Sequence, residues 1–212
     1  MARAPLTVKR LLGLDRSGPP PPETVAGQPL RPWTLPNAIG FLRIGLLPVF
    51  LVLALGSGDG RHTAAAILYA VIGASDYLDG MLARVTGQFS RLGALLDPLT
   101  DRLLVLAGVV VAWKFELLPR WALGVLAARE FVMLVLTQVA MRVGMDLKIN
   151  MAGRWAVWPT MFSIFLAMVV DTRVAEGLLY LGLGMTLWAT GLYLAEGAQH
   201  IRGRKAAPSS EG

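Results

Sequence analysis

The chain has 212 residues, a formal net charge of +6 and an apolar content of 55%. Only 16% of its residues are charged, against about a quarter in a typical soluble domain, so the composition indicates an integral membrane protein. The absence of cysteine excludes disulfides and thiolate metal sites, and the only two histidines, His62 and His200, lie near the ends of apolar runs, which argues against a histidine-based zinc site.

The first 33 residues are polar and rich in proline, and they lack the pattern of a removable signal peptide. The run "SGPPPPETVAGQPLRP" favours an extended or disordered tail. The preceding "LTVKRLLGLDR" is compatible with a short amphipathic helix on a membrane surface and equally with a tail that has no structure. No role for residues 1–33 follows from the sequence.

Six apolar segments follow this tail, and a membrane-spanning helix needs about 20 residues. The fifth segment is short and could extend backward through Gly153. None shows the two-residue alternation of a barrel strand, so the sequence predicts an all-α membrane domain over residues 34–199, followed by a cytoplasmic tail over residues 200–212. The six predicted helices cover residues 34–57, 62–84, 93–115, 118–142, 155–171 and 174–198.

Lysine and arginine are distributed unevenly between the two ends of these predicted spans. Thirteen fall in the two tails, the 85–92 turn with its flank and the 142–154 loop, and four fall in the other connections. Because cytoplasmic loops carry the excess of basic residues, both termini and the 85–92 turn are expected in the cytoplasm. The same distribution explains the basic sequence pI without nucleic-acid binding.

Four aspartates stand out near the cytoplasmic ends of the second and third predicted helices. Asp76 and Asp79 share one helix face, and Asp97 and Asp101 share a face of the next helix. A short turn makes these helices neighbours, so the four carboxylates can converge. Each carboxylate would cost roughly 3 kcal/mol at the bilayer centre, and bound divalent cations would offset this cost. Oxygen ligands suit Mg²⁺, Mn²⁺ or Ca²⁺. Two such ions could stabilise both the attacking and the leaving oxygen of a phosphoryl displacement.

The segment "DYLDGMLAR", then eight residues, then "GALLDPLTD", resembles the signature of the CDP-alcohol phosphatidyltransferases, D-x-x-D-G-x-x-A-R-x8-G-x-x-x-D-x-x-x-D. Six predicted spans also agree with that family's fold. More narrowly, "TLPNAIGFLRIGLLPVF" resembles the first span of phosphatidylglycerophosphate synthases and of the cardiolipin synthases of the same fold. All eight fixed positions of the signature are present: Asp76, Asp79, Gly80, Ala83, Arg84, Gly93, Asp97 and Asp101.

The resemblance implies transfer of a phosphatidyl group from CDP-diacylglycerol to an alcohol with release of CMP, at the cytoplasmic leaflet of the plasma membrane. It implies two Mg²⁺ or Mn²⁺ ions and a homodimer. By position, Asp76, Asp79 and Asp97 would be metal ligands, and Asp101 would border the metals and act as general base. The CDP moiety would be received by Asp79, Gly80, Ala83, Arg84 and Gly93. For Gly80 and Gly93, tight helix packing is the competing interpretation.

The acceptor alcohol is less clearly indicated by the sequence. Arg43, Arg129 and Arg154 could hold an anionic acceptor, since arginine binds phosphate in a bidentate manner. Glycerol 3-phosphate is the first expectation and the phosphodiester of phosphatidylglycerol, giving cardiolipin, is the alternative. Arg43 could instead pair with an aspartate, and Arg154, which stands where the similar synthases carry a Gly-Lys pair, could be an ordinary cytoplasmic anchor.

A cation transporter is the competing class, since intramembrane carboxylates also mark ion pathways. A pathway would spread its polar groups through the membrane, whereas the four aspartates here face one leaflet. Arg102 follows Asp101 but points about 100° away on a helix, so it is expected to be structural or interfacial. The sequence therefore favours the enzyme.

Overall fold

The computed structural model describes residues 29–142 and 151–206, with side chains described for residues 29–136 and 157–192. Within these residues the chain is helical and contains no strand. The predicted amphipathic helix in the amino-terminal tail lies outside the described residues. The described helices are α1 (Leu35–Leu55), α2 (Thr63–Thr86), α3 (Arg91–Lys114), α4 (Arg120–Arg142), α5 (Met151–Val169) and α6 (Arg173–Ala206).

Polar side chains at the amino-terminal caps explain where the first three helices begin. Thr34 Oγ1 accepts from the Asn37 backbone N–H before α1, and His62 Nδ1 accepts from the Ala65 N–H before α2. Ser90 caps α3 in the same way. Each cap satisfies one of the backbone donors that the first helical turn leaves without a partner.

Contacts between the loops show that the helices run alternately up and down. At one end, the Leu92 N–H donates to the Leu30 carbonyl at 3.3 Å, and the Leu35 N–H donates to Gln88 Oε1 at 3.1 Å. The amino-terminal segment therefore lies beside the turn between α2 and α3. At the opposite end, Arg61 pairs with Asp171 at 3.2 Å, which joins the α1–α2 loop to the α5–α6 loop.

The core lies where α1, α2, α3 and α5 pack together, with α4 against α3 and α6, and α6 against α5. Gly108 allows one close approach, because a Cβ atom there would lie 2.8 Å from Ile164 Cγ2 and 2.9 Å from Tyr69 Cε2. Packing at this density fixes the rotation of each helix about its axis. The largest fully buried apolar side chains are Tyr69, Phe50, Ile72, Leu104, Leu123, Leu126, Ile164, Met168 and Leu179.

The six predicted segments are all helical in the structure, and the fifth does extend backward through Gly153, to Met151. The last helix continues to Ala206, into the segment predicted as a tail. Among the described residues, Leu35–Leu55 and Thr63–Thr86 are long and apolar enough to cross a membrane. Many large apolar side chains also face outward, such as Val52 at 73% and Trp188 at 70% exposure, as expected for a membrane protein.

Candidate active site

The turn between α2 and α3 brings the signature residues of both helices to one end of the bundle. Gly87 ends α2 with φ of 65°, a left-handed conformation that glycine adopts without strain. Ser90 then caps α3, where its Oγ accepts the Gly93 N–H at 2.9 Å. Asp76 and Asp79 precede this turn on α2, and the second pair of aspartates follows it on α3, in the order that the sequence predicted.

Arg43 of α1 lies between the carboxylates of α2 and α3. Its Nη1 is 2.9 Å from Asp76 Oδ1 and 3.3 Å from Asp79 Oδ2, and its Nη2 is 2.8 Å from Asp101 Oδ1. Its Nε donates to the Ile72 carbonyl at 3.1 Å. Only 1% of the Arg43 side chain is exposed. The structure therefore brings three of the four aspartates to one guanidinium.

The four carboxylates differ in exposure. The side chain of Asp79 is 4% exposed, whereas those of Asp76 and Asp101 are 39% and 42% exposed. Asp97 is partly buried, and the charges of the other three aspartates act on it. The cluster is thus closed on the side of Asp79 and open on the side of Asp76 and Asp101. A ligand could reach it from the open side.

The donor set has the chemistry that a divalent ion needs. Three carboxylates surround one cationic group, and oxygen is the ligand that Mg²⁺ and Mn²⁺ prefer. In the part of the chain with described side chains, no three acidic or histidine side chains are oriented to ligate one metal ion, and the guanidinium of Arg43 lies between the carboxylates. With four carboxylates and one arginine, the cluster has surplus negative charge that suits further cations.

The two signature glycines have different surroundings. A Cβ atom on Gly80 would meet only the guanidinium of Arg84, at 3.6 Å from Nη1, which is an ordinary contact with a flexible side chain. Helix packing therefore does not require a glycine at position 80. Arg84 lies one helical turn after Gly80 on the same face, and Ala83 beside it is partly buried.

Gly93 is required by packing, because a Cβ atom there would lie 2.8 Å from Asn37 Oδ1 and 3.1 Å from Ser90 Oγ. Ser90 Oγ–H donates to Asn37 Oδ1 at 2.8 Å, and Asn37 Nδ2 donates to the carbonyls of Arg31 and Pro32 at 3.0 and 3.1 Å. This buried network ties the amino-terminal segment to the start of α3. The geometry thus favours the packing interpretation for Gly93. Asn37 was not predicted as part of this network, although its place in the first turn of α1 was a signal.

Two of the predicted acceptor arginines, Arg43 and Arg129, have different ion-pair partners. Arg43 is engaged with the aspartates, whereas Arg129 lies in a second cluster with Glu130 of its own helix. The structure brings Arg102 there too, because its Nη1 is 2.8 Å from Glu130 Oε2. Arg154 lies in α5, and its side chain is outside the described residues. Glu130 stands beside Arg129 in an apolar segment of the sequence, but its pairing with both arginines was not predicted.

Comparisons with known proteins agree with this architecture. The profile of the CDP-alcohol phosphatidyltransferase family matches residues 33–188. The chain is 36% identical over 188 residues to a cardiolipin synthase (CMP-forming) of Streptomyces coelicolor, covering 82% of this chain and 87% of that protein. It is 33% identical over 144 residues to a CDP-diacylglycerol–glycerol-3-phosphate 3-phosphatidyltransferase of Bacillus subtilis, covering 62% of this chain and 75% of that protein.

A second relative with that name, from Pseudomonas fluorescens, is 28% identical over 184 residues and covers 81% of this chain and 94% of its own. The family match includes α1 to α5 and the first part of α6, and therefore all eight signature positions. Members of this family are membrane-bound enzymes of phospholipid synthesis that generally depend on a divalent metal ion. The chain therefore belongs to the CDP-alcohol phosphatidyltransferase family, and is a transferase rather than a cation transporter.

Proposed function

We propose that this protein transfers the phosphatidyl group of CDP-diacylglycerol to glycerol 3-phosphate and releases CMP. The observation that carries the proposal is the meeting of Asp76, Asp79 and Asp101, from two helices, around one cationic group on a third. The negative charge of such a cluster would attract the cations that a diphosphate needs. The carboxylates lie on the two helices that carry the two halves of the family signature.

Asp76, Asp79, Asp97 and Asp101 would hold two divalent ions, either Mg²⁺ or Mn²⁺. When bound, the ions would neutralise the diphosphate and stabilise the charge that develops as the bond to CMP breaks. Asp79, the most buried of the carboxylates, would be the innermost ligand of the site. The partial exposure of Asp76 and Asp101 leaves room for the lipid-linked substrate.

The residues of α2 would bind the nucleotide. The backbone at Gly80 has no side chain in the way, so the CDP moiety could approach the helix closely there. The guanidinium of Arg84, which lies over Gly80, would bind a phosphate oxygen. Ala83 is small enough to leave the same surface open, and Asp79 and Gly93 would border this subsite.

Asp101 would act as the general base. Its carboxylate would accept the proton of the acceptor hydroxyl, and the hydroxyl oxygen would attack the phosphorus atom that carries the diacylglycerol. The bond between that phosphorus and the oxygen bridging to CMP would break, and CMP would leave with the electron pair. The 42% exposure of the Asp101 side chain supports this role, because an acceptor can reach it.

An anionic acceptor is favoured by the ionic cluster that includes Arg102, the residue after Asp101. Arg102 and Arg129 share the single carboxylate of Glu130, so the cluster has one surplus positive charge. Glycerol 3-phosphate is the smaller anion that would suit it. Phosphatidylglycerol is the second candidate acceptor, favoured by the 36% identity to a cardiolipin synthase (CMP-forming). Arg43 and Arg154 remain predicted contributors to acceptor binding.

We further propose that all six helices span the plasma membrane, with both termini and the α2–α3 turn in the cytoplasm and with the protein acting as a homodimer. Thirteen basic residues against four support this orientation. The alternating direction of the helices supports it too, since the amino-terminal segment and the α2–α3 turn lie at the same end. Cysteine-labelling from each side of a sealed vesicle, with single cysteines at Gln88 and Asp59, tests the orientation.

The acceptor is tested with purified protein, CDP-diacylglycerol and Mg²⁺ or Mn²⁺, by measuring CMP release with each acceptor separately. Turnover with glycerol 3-phosphate, loss on chelation and recovery with added metal are the expected results. Turnover only with phosphatidylglycerol would replace the first candidate by the second. No CMP release with either acceptor would contradict the proposed function.

A further inference from the structure

A second buried ionic cluster, formed by Arg102, Glu130, Arg129 and Thr190, joins three helices, and one of its members, Arg102, directly follows Asp101 in the chain. Arg102 of α3 donates to Glu130 Oε2 of α4 at 2.8 Å, and Arg129 Nη1 contacts Glu130 Oε1. Arg129 Nε donates to Thr190 Oγ1 of α6 at 3.1 Å. The side chains of Arg129 and Glu130 are 8% and 5% exposed. The cluster therefore lies in the interior of the helical bundle and is not a surface ion pair.

The guanidinium of Arg129 is held from two sides. Glu130 accepts a hydrogen bond from one terminal nitrogen, and Thr190 accepts one from the Nε–H on the other edge of the group. Thr190 is itself fixed, because its hydroxyl donates to the Thr186 carbonyl at 2.8 Å. A long side chain that is restrained in this way loses most of its freedom before a ligand arrives, and preorganised cations bind anions more tightly for that reason.

The cluster is also tied to the helix that carries the proposed base. Arg102 directly follows Asp101, so the ion pair from Arg102 to Glu130 restrains the same turn of α3. The Nε of Arg102 is buried and has no hydrogen-bond partner. Two guanidiniums share one carboxylate in this cluster, so one positive charge has no counter-charge within it.

We propose that Glu130 and Thr190 are positioning residues, which hold the guanidinium of Arg129 in the orientation that binds the anionic group of the acceptor. This inference rests on the proposed function, since it assumes that an anionic acceptor reacts beside Asp101. Glu130 does not contact the substrate. It acts through Arg129, and its removal therefore affects acceptor binding and leaves CDP-diacylglycerol binding on α2 intact.

The test measures KM for each substrate and kcat in the full-length protein, with whichever acceptor supports CMP release. Glu130→Asp keeps the charge and withdraws the carboxylate by one methylene, and Thr190→Val removes the second partner without changing any charge. We expect each to raise the acceptor KM, by about tenfold for Glu130→Asp, with kcat and the CDP-diacylglycerol KM within about twofold. Glu116→Asp is the matched control, because Glu116 pairs with Arg120 on the surface at the opposite end.

A double-mutant cycle separates positioning from a structural brace. If Glu130 acts through Arg129, then Glu130→Asp combined with Arg129→Lys has an acceptor KM no higher than that of Arg129→Lys alone. The proposal would be overturned if the two substitutions multiplied each other's effect on the acceptor KM. It would also be overturned if kcat and both KM values changed equally. If Glu130→Asp fails to fold, an unchanged acceptor KM in Thr190→Val overturns it. An inactive wild-type protein is a different result, which counts against the proposed function itself.

Discussion

Arg43 Nη2 lies 2.8 Å from Asp101 Oδ1, although 58 positions separate the two residues in the chain. The contact exists because α1 packs against both α2 and α3, with the Arg43 side chain directed into the space between them. It means that a fixed cation of the protein neutralises part of the carboxylate charge. Arg43 therefore connects the packing of α1 to the electrostatics of the candidate site.

Replacement of Arg43 by lysine is expected to lower both stability and activity. A lysine cannot reproduce the planar fork that reaches Asp76, Asp79 and Asp101 together with the Ile72 carbonyl. Loss of two or more of these bonds should cost about 1–3 kcal/mol. Thermal unfolding in detergent measures the loss. Arg61→Lys, in an exposed pair with Asp171 at the other end, is the control; equal unfolding temperatures for the two variants would contradict the central role of Arg43.

Asp101→Asn is expected to reduce CMP release by about 10²–10⁴-fold, because an amide cannot accept the proton of the acceptor hydroxyl. The substitution preserves shape, and the amide oxygen can still accept from Arg43. Its effect on thermal unfolding should therefore be small compared with its effect on turnover. Asp171→Asn, at a carboxylate that is 90% exposed at the opposite end, serves as the control. Undiminished turnover in Asp101→Asn would remove the assignment of the base.

Gly80→Ala separates a functional glycine from a packing glycine. The new Cβ atom would meet only the Arg84 side chain, at 3.6 Å, so the protein should fold normally. The methyl group would nevertheless occupy the surface that the CDP moiety is proposed to approach, and KM for CDP-diacylglycerol should rise by about tenfold. Gly45→Ala is the control, since nothing lies within 4 Å of a Cβ atom there. The same KM in both variants would argue against nucleotide binding at Gly80.

Gly93→Ala should show the opposite pattern: the protein loses stability, and KM for CDP-diacylglycerol changes little. Its Cβ atom would lie 2.8 Å from Asn37 Oδ1, so the buried network from Ser90 to the amino-terminal segment must shift. Overpacking of this kind costs about 1–3 kcal/mol. Thermal unfolding compared with Gly45→Ala measures it. A variant as stable as wild type would show that the network adapts, and would contradict the packing role of Gly93.

The sequence by itself determined the helical fold and the position of the carboxylates. Apolar segments of about 20 residues predict helices, and the observed helices agree with them, apart from the extension of the last one to Ala206. The spacing of Asp76 and Asp79 fixes their shared face, and the short turn fixes α2 beside α3. These features follow from helix period, capping and turn length, which depend only on residues close together in the chain.

Only the tertiary structure decided which side chains meet across helices. The sequence allowed Arg43 either to bind the acceptor phosphate or to pair with an aspartate, and the rotation of α1 places it between the aspartates. Arg102 was expected to be structural or interfacial, and its partner proved to be Glu130, 28 positions away. Gly93 gained its packing role from Asn37 of another helix. Such contacts depend on how the helices rotate and close against one another, which is set by the fit of the whole core and not by any local pattern.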